Sequence, residues 1–187
     1  MTDATASDQA RDALRLALAR YQPASDEPEV ASAYADLLSR QPSAFLRSCL
    51  PGHFTGSAWV VSADGERTLL THHRKLDRWL QPGGHADGDA DLAQVALREA
   101  CEETGLPGLS LVAGIFDLDR HRIPARGAEL EHWHYDVRYV VRAGSDERFV
   151  VSAESRALAW RDIAGIATDE NMEPSLRRMA RKWLALR

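Results

Sequence analysis

Three glutamates, Glu99, Glu102 and Glu103, stand at i, i+3 and i+4 in the run Leu92–Glu103, which holds neither Gly nor Pro. At about 100° per residue they share an arc of roughly 100° on one side of a helix. Like charges at this spacing disfavour a helix by about 0.2–0.5 kcal/mol per pair, and these lie near its C-terminus, where the macrodipole prefers cations. Clustered carboxylate oxygens are also what hard divalent cations such as Mg²⁺ or Mn²⁺ require, usually with substrate phosphates completing the shell. Taken alone, the residues leave two readings: a solvated acidic face, or a cation site for phosphate chemistry.

A second stretch carries chemistry in a strand pattern. From Glu131 to Val141 the chain alternates, with Trp133, Tyr135, Val137, Tyr139 and Val141 on one face and His132, His134, Asp136 and Arg138 on the other. The first set reads as core. The second is either the solvent face of an antiparallel strand or a metal or phosphate site, since two imidazoles and a carboxylate at i, i+2 and i+4 suit both. Upstream, His72-His73-Arg74-Lys75 forms a basic stretch, in which Arg74 and Lys75 are either phosphate contacts or an exposed hairpin end.

The elements that must position these groups follow from periodicity and breakers. Residues 4–21 pattern as an amphipathic helix ended by Pro23, and a second helix is expected from about Glu27, with Pro28 in its first turn and Val30, Tyr34, Leu37 and Leu38 as its stripe. A turn or short helix covers Pro42 to Cys49. Phe54–Val61 and Arg67–His72 read as a hairpin about Ala63-Asp64-Gly65. Gln81 to Gly88 is a Gly-rich acidic loop, Asp91 an N-cap, and Gly105 the C-terminal stop of the glutamate helix. Cys101 falls on that helix's packing side. Strands are expected at Leu109–Leu118, Arg148–Ser152 and Ala157–Arg161, a polar loop through Arg120–Pro124, and a turn or short helix at Asp162–Ile166. A final helix runs from about Pro174 to Leu186, its Arg177, Arg178, Arg181 and Lys182 forming a solvated face.

The stretch Gly84 to Leu106 resembles the Nudix hydrolase signature, G-x5-E-x7-R-E-U-x-E-E-x-G-U with U aliphatic. Gly84 matches the first glycine, and Arg98-Glu99-Ala100-Cys101-Glu102-Glu103-Thr104-Gly105-Leu106 matches the whole second half. The early Glu of the signature falls on Ala90; in the family it pairs with the arginine matching Arg98, so Asp89 or Asp91 is expected to take its place. The resemblance implies an α+β fold, a three-layer α/β/α sandwich around a mixed β-sheet spanning residues 53–187, preceded by an N-terminal helical extension over residues 1–52. It implies Mg²⁺ or Mn²⁺ held by Glu99, Glu102, Glu103 and the Gly84 carbonyl, with Arg98 orienting the glutamates and Glu103 or Asp136 as general base. Arg74, Lys75 and Arg138 are the candidate substrate contacts. By comparison with the isopentenyl diphosphate isomerase branch, His85, His132 and His134 form a candidate second metal site.

The activity implied is metal-dependent cleavage of a diphosphate linkage in a nucleoside diphosphate joined to another group. An isomerase of the isopentenyl diphosphate type is disfavoured, since Pro82-Gly83-Gly84-His85 lacks the cysteine that branch places before its Gly-His. A non-catalytic nucleotide-binding module is disfavoured by the three intact glutamates. The formal charge of −5 argues against a sequence-independent nucleic-acid binder. Two cysteines without a CxxC spacing, a polar and acidic first ten residues and the absence of an apolar run of about 20 residues point to a soluble cytoplasmic protein with no membrane partner. Its partner is a small diphosphate substrate, and a homodimer is compatible with the resemblance.

Overall fold

The computed structural model describes residues 2–23, 31–153 and 155–187, with side chains from residue 7 onward. Helix α1 (Thr2–Arg20) buries Leu14 and Leu18, and α2 (Ala31–Arg40) buries Tyr34, Leu37 and Leu38. The expected start of the second helix, at Glu27 to Val30, lies outside the described residues.

The sheet is built around β1 (Gly52–Val61), all ten residues of which are buried. Antiparallel partners come from β2 (Arg67–His73), which pairs at the far end, and from β4 (Gly83–His85), which pairs through Thr55↔His85, Gly56↔Gly84 and Ser57↔Gly83. β4 is a correction to the sequence reading of an unbroken loop. β1 and β2 pair at Val61↔Thr68, which leaves the other end of that edge of β1 open to the Gly-Gly segment. On its other edge β1 runs parallel to β7 (His132–Arg142), from Gly52↔Trp133 to Val61↔Arg142. β3 (Arg78–Leu80) and β8 (Ser155–Asp162) flank β2, while β5 (Ser110–Leu111) and β6 (Asp117–Ile123) flank β7.

The region expected as one strand at Leu109–Leu118 followed by a polar loop is instead the short β5 and then β6. The polar residues of β6 continue the ladder because Asp117, Asp119 and His121 pair with Arg138, Asp136 and His134 of β7. Arg148–Ser152 is not a strand. Arg148 folds locally onto Asp146, and Val150 N–H donates to the Thr104 carbonyl (2.7 Å), so the segment crosses the end of the glutamate helix instead of joining a ladder.

Strand alternation sends even residues of β1 and odd residues of β7 to one face, where α1, α2 and α3 (Leu92–Thr104) cover Phe54, Ala58, Tyr135 and Val137. The opposite residues, Trp59, Val61 and Val140, are covered by α4 (Ile163–Thr168) and α5 (Pro174–Ala185). Three layers result.

That second face is also polar where β6 and β7 meet α5. Arg138, 3% exposed, donates from Nε to Asp136 (2.8 Å) and from Nη1 to Asp117 (3.2 Å), and its Nη2 lies 3.2 Å from Asp119. Arg178 of α5 binds Asp117 through two nitrogens (3.0 and 2.8 Å) and also reaches Asp119. Of the two readings of β7's polar face, the solvent-facing one fails at His132, Asp136 and Arg138, which are buried, and Arg178, expected on a solvated face, is instead a buried clamp. Burial opposes the charge on Arg138, but Asp119, Asp136 and Asp117 outweigh it and hold the guanidinium protonated. Burial alone would raise Asp119; Arg138, His121 and Arg178 more than offset it and hold that carboxyl well below the usual range.

Arg138→Met leaves Asp136 in the interior without a cation, and Asp119 with Arg178 in place of two guanidinium partners, and is expected to cost about 3–5 kcal/mol, read by urea unfolding. A carboxyl depressed in the folded state adds stability that is complete above its unfolded pKa of about 3.9 and is lost as pH falls through the folded value. The stability gap between wild type and Asp119→Asn should therefore stay constant above about pH 5 and narrow below about pH 4.

Candidate functional site

The glutamate helix is built as its sequence dictates. Asp91 caps α3 by accepting from Gln94 N (3.2 Å), and Gly105 stops it in the left-handed region at φ 63°, its N–H returning to the Cys101 carbonyl. Small residues on the inner side let α3 lie against β1: a Cβ on Gly56 would stand 2.8 Å from the Leu92 carbonyl oxygen. Cys101, expected to pack, is exposed instead, because it lies at the rim of the apolar half.

β4 brings the loop to the glutamates. A Cβ on Gly84 would fall 2.5 Å from the Glu99 carboxyl carbon, so glycine here is a condition for Glu99 to lie against the strand. Gly83 N–H donates to Glu103 Oε1 (2.8 Å), fixing Glu103, which is buried. Glu102 is exposed. The three carboxylates thus stand on one side of α3 in three environments: Glu99 against Gly84, Glu103 hydrogen-bonded to β4 and Glu102 in solvent. Their mutual repulsion favours this spread. The donor chemistry fits a hard divalent cation, all of it carboxylate oxygen beside a backbone strand.

Arg98 finds the partner that Ala90 cannot supply. Its Nη1 lies 3.5 Å from Asp89 Oδ2, and its Nη2 lies 3.7 Å from Glu99 Oε1. Asp89 also accepts from Asp91 N (2.9 Å), which joins Arg98 to the start of the helix. Asp91 is occupied as the N-cap. The pair is half-exposed, so its worth is positional more than energetic. The preceding loop is held from outside the signature, with Arg47 gripping Asp87 through two bonds (2.6 and 2.8 Å) and Gly88 N–H donating to the Phe45 carbonyl.

The other expected site residues sort differently. Asp136 is 2% exposed and accepts from Thr55 (2.9 Å), Ser57 (2.8 Å) and Arg138, so its lone pairs are committed to holding β1 to β7 and it is a poor general base. Arg138 is likewise saturated by carboxylates and cannot contact substrate without breaking the buried cluster. Arg74 and Lys75 sit in the exposed turn between β2 and β3, where Arg74 donates to the Ser155 carbonyl (3.1 Å) and Lys75 N–H to His73 Nδ1. Nothing in that geometry brings them to the glutamates.

The imidazoles do converge. His85 and His134 rings lie 5.0 Å apart, His132 and His134 5.1 Å, and both His132 and His134 lie 4.9 Å from a histidine absent from the sequence reading, His53. His121 adds a fifth ring 5.4 Å from His134. Nothing local in the sequence marks His53, since only the parallel register His53↔His134 brings it there, and the segment of His121 reads as a loop. Burial first, then neighbouring positive groups, lowers His53, His85 (to about 4) and His134, so these rings are neutral near pH 7.

Gly84→Ala should leave the fold intact yet push Glu99 off β4. The expected outcome is a drop in Mn²⁺ affinity of at least about tenfold by titration, with far-ultraviolet circular dichroism unchanged.

Comparison with known proteins agrees with this architecture. A family model described as the NUDIX domain matches residues 53–183. Among solved structures, an Ap4A hydrolase of C. elegans is 17% identical, aligning 71% of this chain and 96% of its own with a TM-score of 0.57. The dihydroneopterin triphosphate pyrophosphohydrolase of E. coli is 19% identical over 72% of this chain and 96% of its own, with a TM-score of 0.58. A NUDIX-family hydrolase from Clostridium perfringens is 20% identical over 72% and 98%, with a TM-score of 0.51. At these identities the likeness shows the shared α/β/α fold, while the match over residues 53–183 and the intact glutamate set place the chain in the NUDIX family, as an enzyme of its hydrolase type.

Proposed function

We propose that this chain hydrolyses a diphosphate linkage in a nucleoside diphosphate joined to another group, with Mg²⁺ or Mn²⁺ as cofactor. The observation that carries the reading is the set Glu99, Glu102 and Glu103 on one side of α3, braced against Gly83 and Gly84 of β4. A diphosphate and three carboxylates repel each other, so substrate binding on this face requires a cation between them. When bound, the divalent ion would neutralise phosphate oxygens and lower the pKa of a water. Glu99 and Glu102, with the Gly84 carbonyl, are the groups to hold it.

The chain's own task is positioning and proton acceptance. Water oxygen forms a new bond to phosphorus, the bridging P–O bond breaks, and the water's proton passes to a carboxylate. With Asp136 committed to the interior, that acceptor falls to a signature glutamate, and Glu103, fixed by the Gly83 N–H, is the candidate. Arg98, held by Asp89, orients Glu99 and does not itself meet substrate.

The named activities of the C. elegans and E. coli neighbours support an anhydride of a nucleotide or pterin phosphate as the substrate class to try first. Release of phosphate and nucleotide across a panel of diphosphate compounds, with Mg²⁺, with Mn²⁺ and with chelator, tests the reading. Turnover should require the metal and fall at least about a hundredfold in Glu102→Gln/Glu103→Gln. A folded, metal-binding protein that turns over no member of the panel would support a nucleotide-binding module instead.

A further inference from the structure

We propose that His53, His132 and His134 bind one transition-metal ion of borderline softness, Zn²⁺ being the type, at a site separate from the glutamates. Their donor nitrogens all lie within 4.8 Å of one another, the one such trio among the described residues. His132 Nε2 and His134 Nε2 are 3.2 Å apart. Two nitrogens on a tetrahedral Zn²⁺, each at about 2.0–2.1 Å, are separated by roughly 3.3 Å, so the rings already stand at a ligand–ligand edge.

The surroundings prepare the lone pairs. His132 Nδ1 faces the Leu130 carbonyl at 2.8 Å, which places the proton on Nδ1 and leaves Nε2 as the donor atom. Neither nitrogen of His53 has a hydrogen-bond partner of normal geometry, although the Cys49 backbone makes a weak contact that favours its proton, and the residue is 2% exposed. An imidazole buried in that state is costly unless something takes its lone pair. A plain His132–His134 hydrogen bond accounts for two of the rings and leaves His53 unexplained; a shared ion accounts for all three.

The all-nitrogen donor set excludes hard cations as natural occupants. Mg²⁺ and Mn²⁺ favour oxygen, whereas imidazole suits Zn²⁺, Ni²⁺, Co²⁺ and Cu²⁺. Two side chains stand near enough to supply a fourth ligand: His85, whose ring is 5.2 Å from that of His53, and Glu129, whose Oε1 is 3.9 Å from His132 Nε2. The separation from the glutamates follows from strand geometry. Gly84 turns its Cβ position toward Glu99, so the next residue, His85, points to the opposite face, as Thr55, its partner in β1, also does.

Zn²⁺ titration against a chromophoric chelator, in excess Mg²⁺, tests the site without reference to activity. One Zn²⁺ per chain is expected, unaffected by Glu102→Gln/Glu103→Gln and weakened at least about a hundredfold by His53→Ala or His134→Ala. Because those variants remove groups from the interior, wild-type protein loaded with Co²⁺ supplies an independent reading. Intense visible bands of tetrahedral nitrogen coordination are expected. No Zn²⁺ retained by wild type, retention unchanged in both histidine variants, or a weak octahedral Co²⁺ spectrum would each overturn the proposal. The glutamate double variant keeps this result independent of the hydrolase reading.

Discussion

The buried ion cluster about Arg138 is the constraint on which the rest of the structure depends. Three carboxylates, Asp117, Asp119 and Asp136, meet Arg138 and Arg178, and Lys182 Nζ stands 3.6 Å from Asp117. Charges removed from water at this depth are tolerable only when each finds its counter-charge and its remaining hydrogen bonds. Every element that supplies a partner is thereby fixed: β6 and β7 through the aspartates and Arg138, β1 through Thr55 and Ser57, α5 through Arg178. Tyr34 of α2 adds a bond from the other layer, donating to the Asp136 carbonyl at 2.9 Å. Slipping β7 by one residue would drive Arg138 into the apolar face beneath α3, so the cluster specifies register more than it adds stability.

Register in turn decides where the chemistry lies. On one edge of β1 Gly84 meets Gly56, which lays the Gly-Gly strand beside Glu99 and Glu103, and on the other Asp136 stands opposite Thr55. The same offset sets His134 beside His53. The glutamate cluster thus rests on the β1–β4 pairing and the imidazole cluster on the β1–β7 pairing, and β1, which the buried ions hold through Thr55 and Ser57, is common to both.

This explains which features were legible in the sequence. The helix with its Asp91 cap, Gly105 stop and glutamate arc is encoded locally, and so is the match to a known signature. The substitution of Asp89 for the missing Glu was one of two neighbours expected, and the choice fell to Asp89 because Asp91 is consumed in capping. Alternation in β7 separated its two faces correctly. What it could not reveal was that both faces are buried, because polar residues on a strand read as solvent-facing until β6 and Arg178 are known to cover them. Arg178 looked like one more cation on a basic helix for the same reason. The greater part of β6 is not legible because Arg120-His121-Arg122 reads as loop, although Asp117 and Leu118 fall in the expected strand; its strand character comes from ion pairs across the ladder and not from apolar alternation. Arg148–Ser152 differs the other way: Phe149, Val150 and Val151 suit a strand, but Val150 N–H is drawn to the Thr104 carbonyl at the end of α3.

The two proposed cation sites differ in the hardness of their donors, and the fold keeps those donors apart. Oxygen ligands stand on the α3 side of β4 and nitrogen ligands on the other, divided by a strand of three residues, two of them glycine. A mixed cluster of carboxylates and imidazoles would bind Zn²⁺ in preference to Mg²⁺, because first-row affinity rises toward the softer, later ions. An enzyme that relies on Mg²⁺ or Mn²⁺ is then open to poisoning at its own site. Segregating the imidazoles behind the sheet keeps nitrogen ligands from adding to Zn²⁺ affinity at the glutamates, and gives that ion a better set of donors nearby. On this argument β4 serves twice, Gly84 letting Glu99 approach one face while strand alternation keeps His85 on the other.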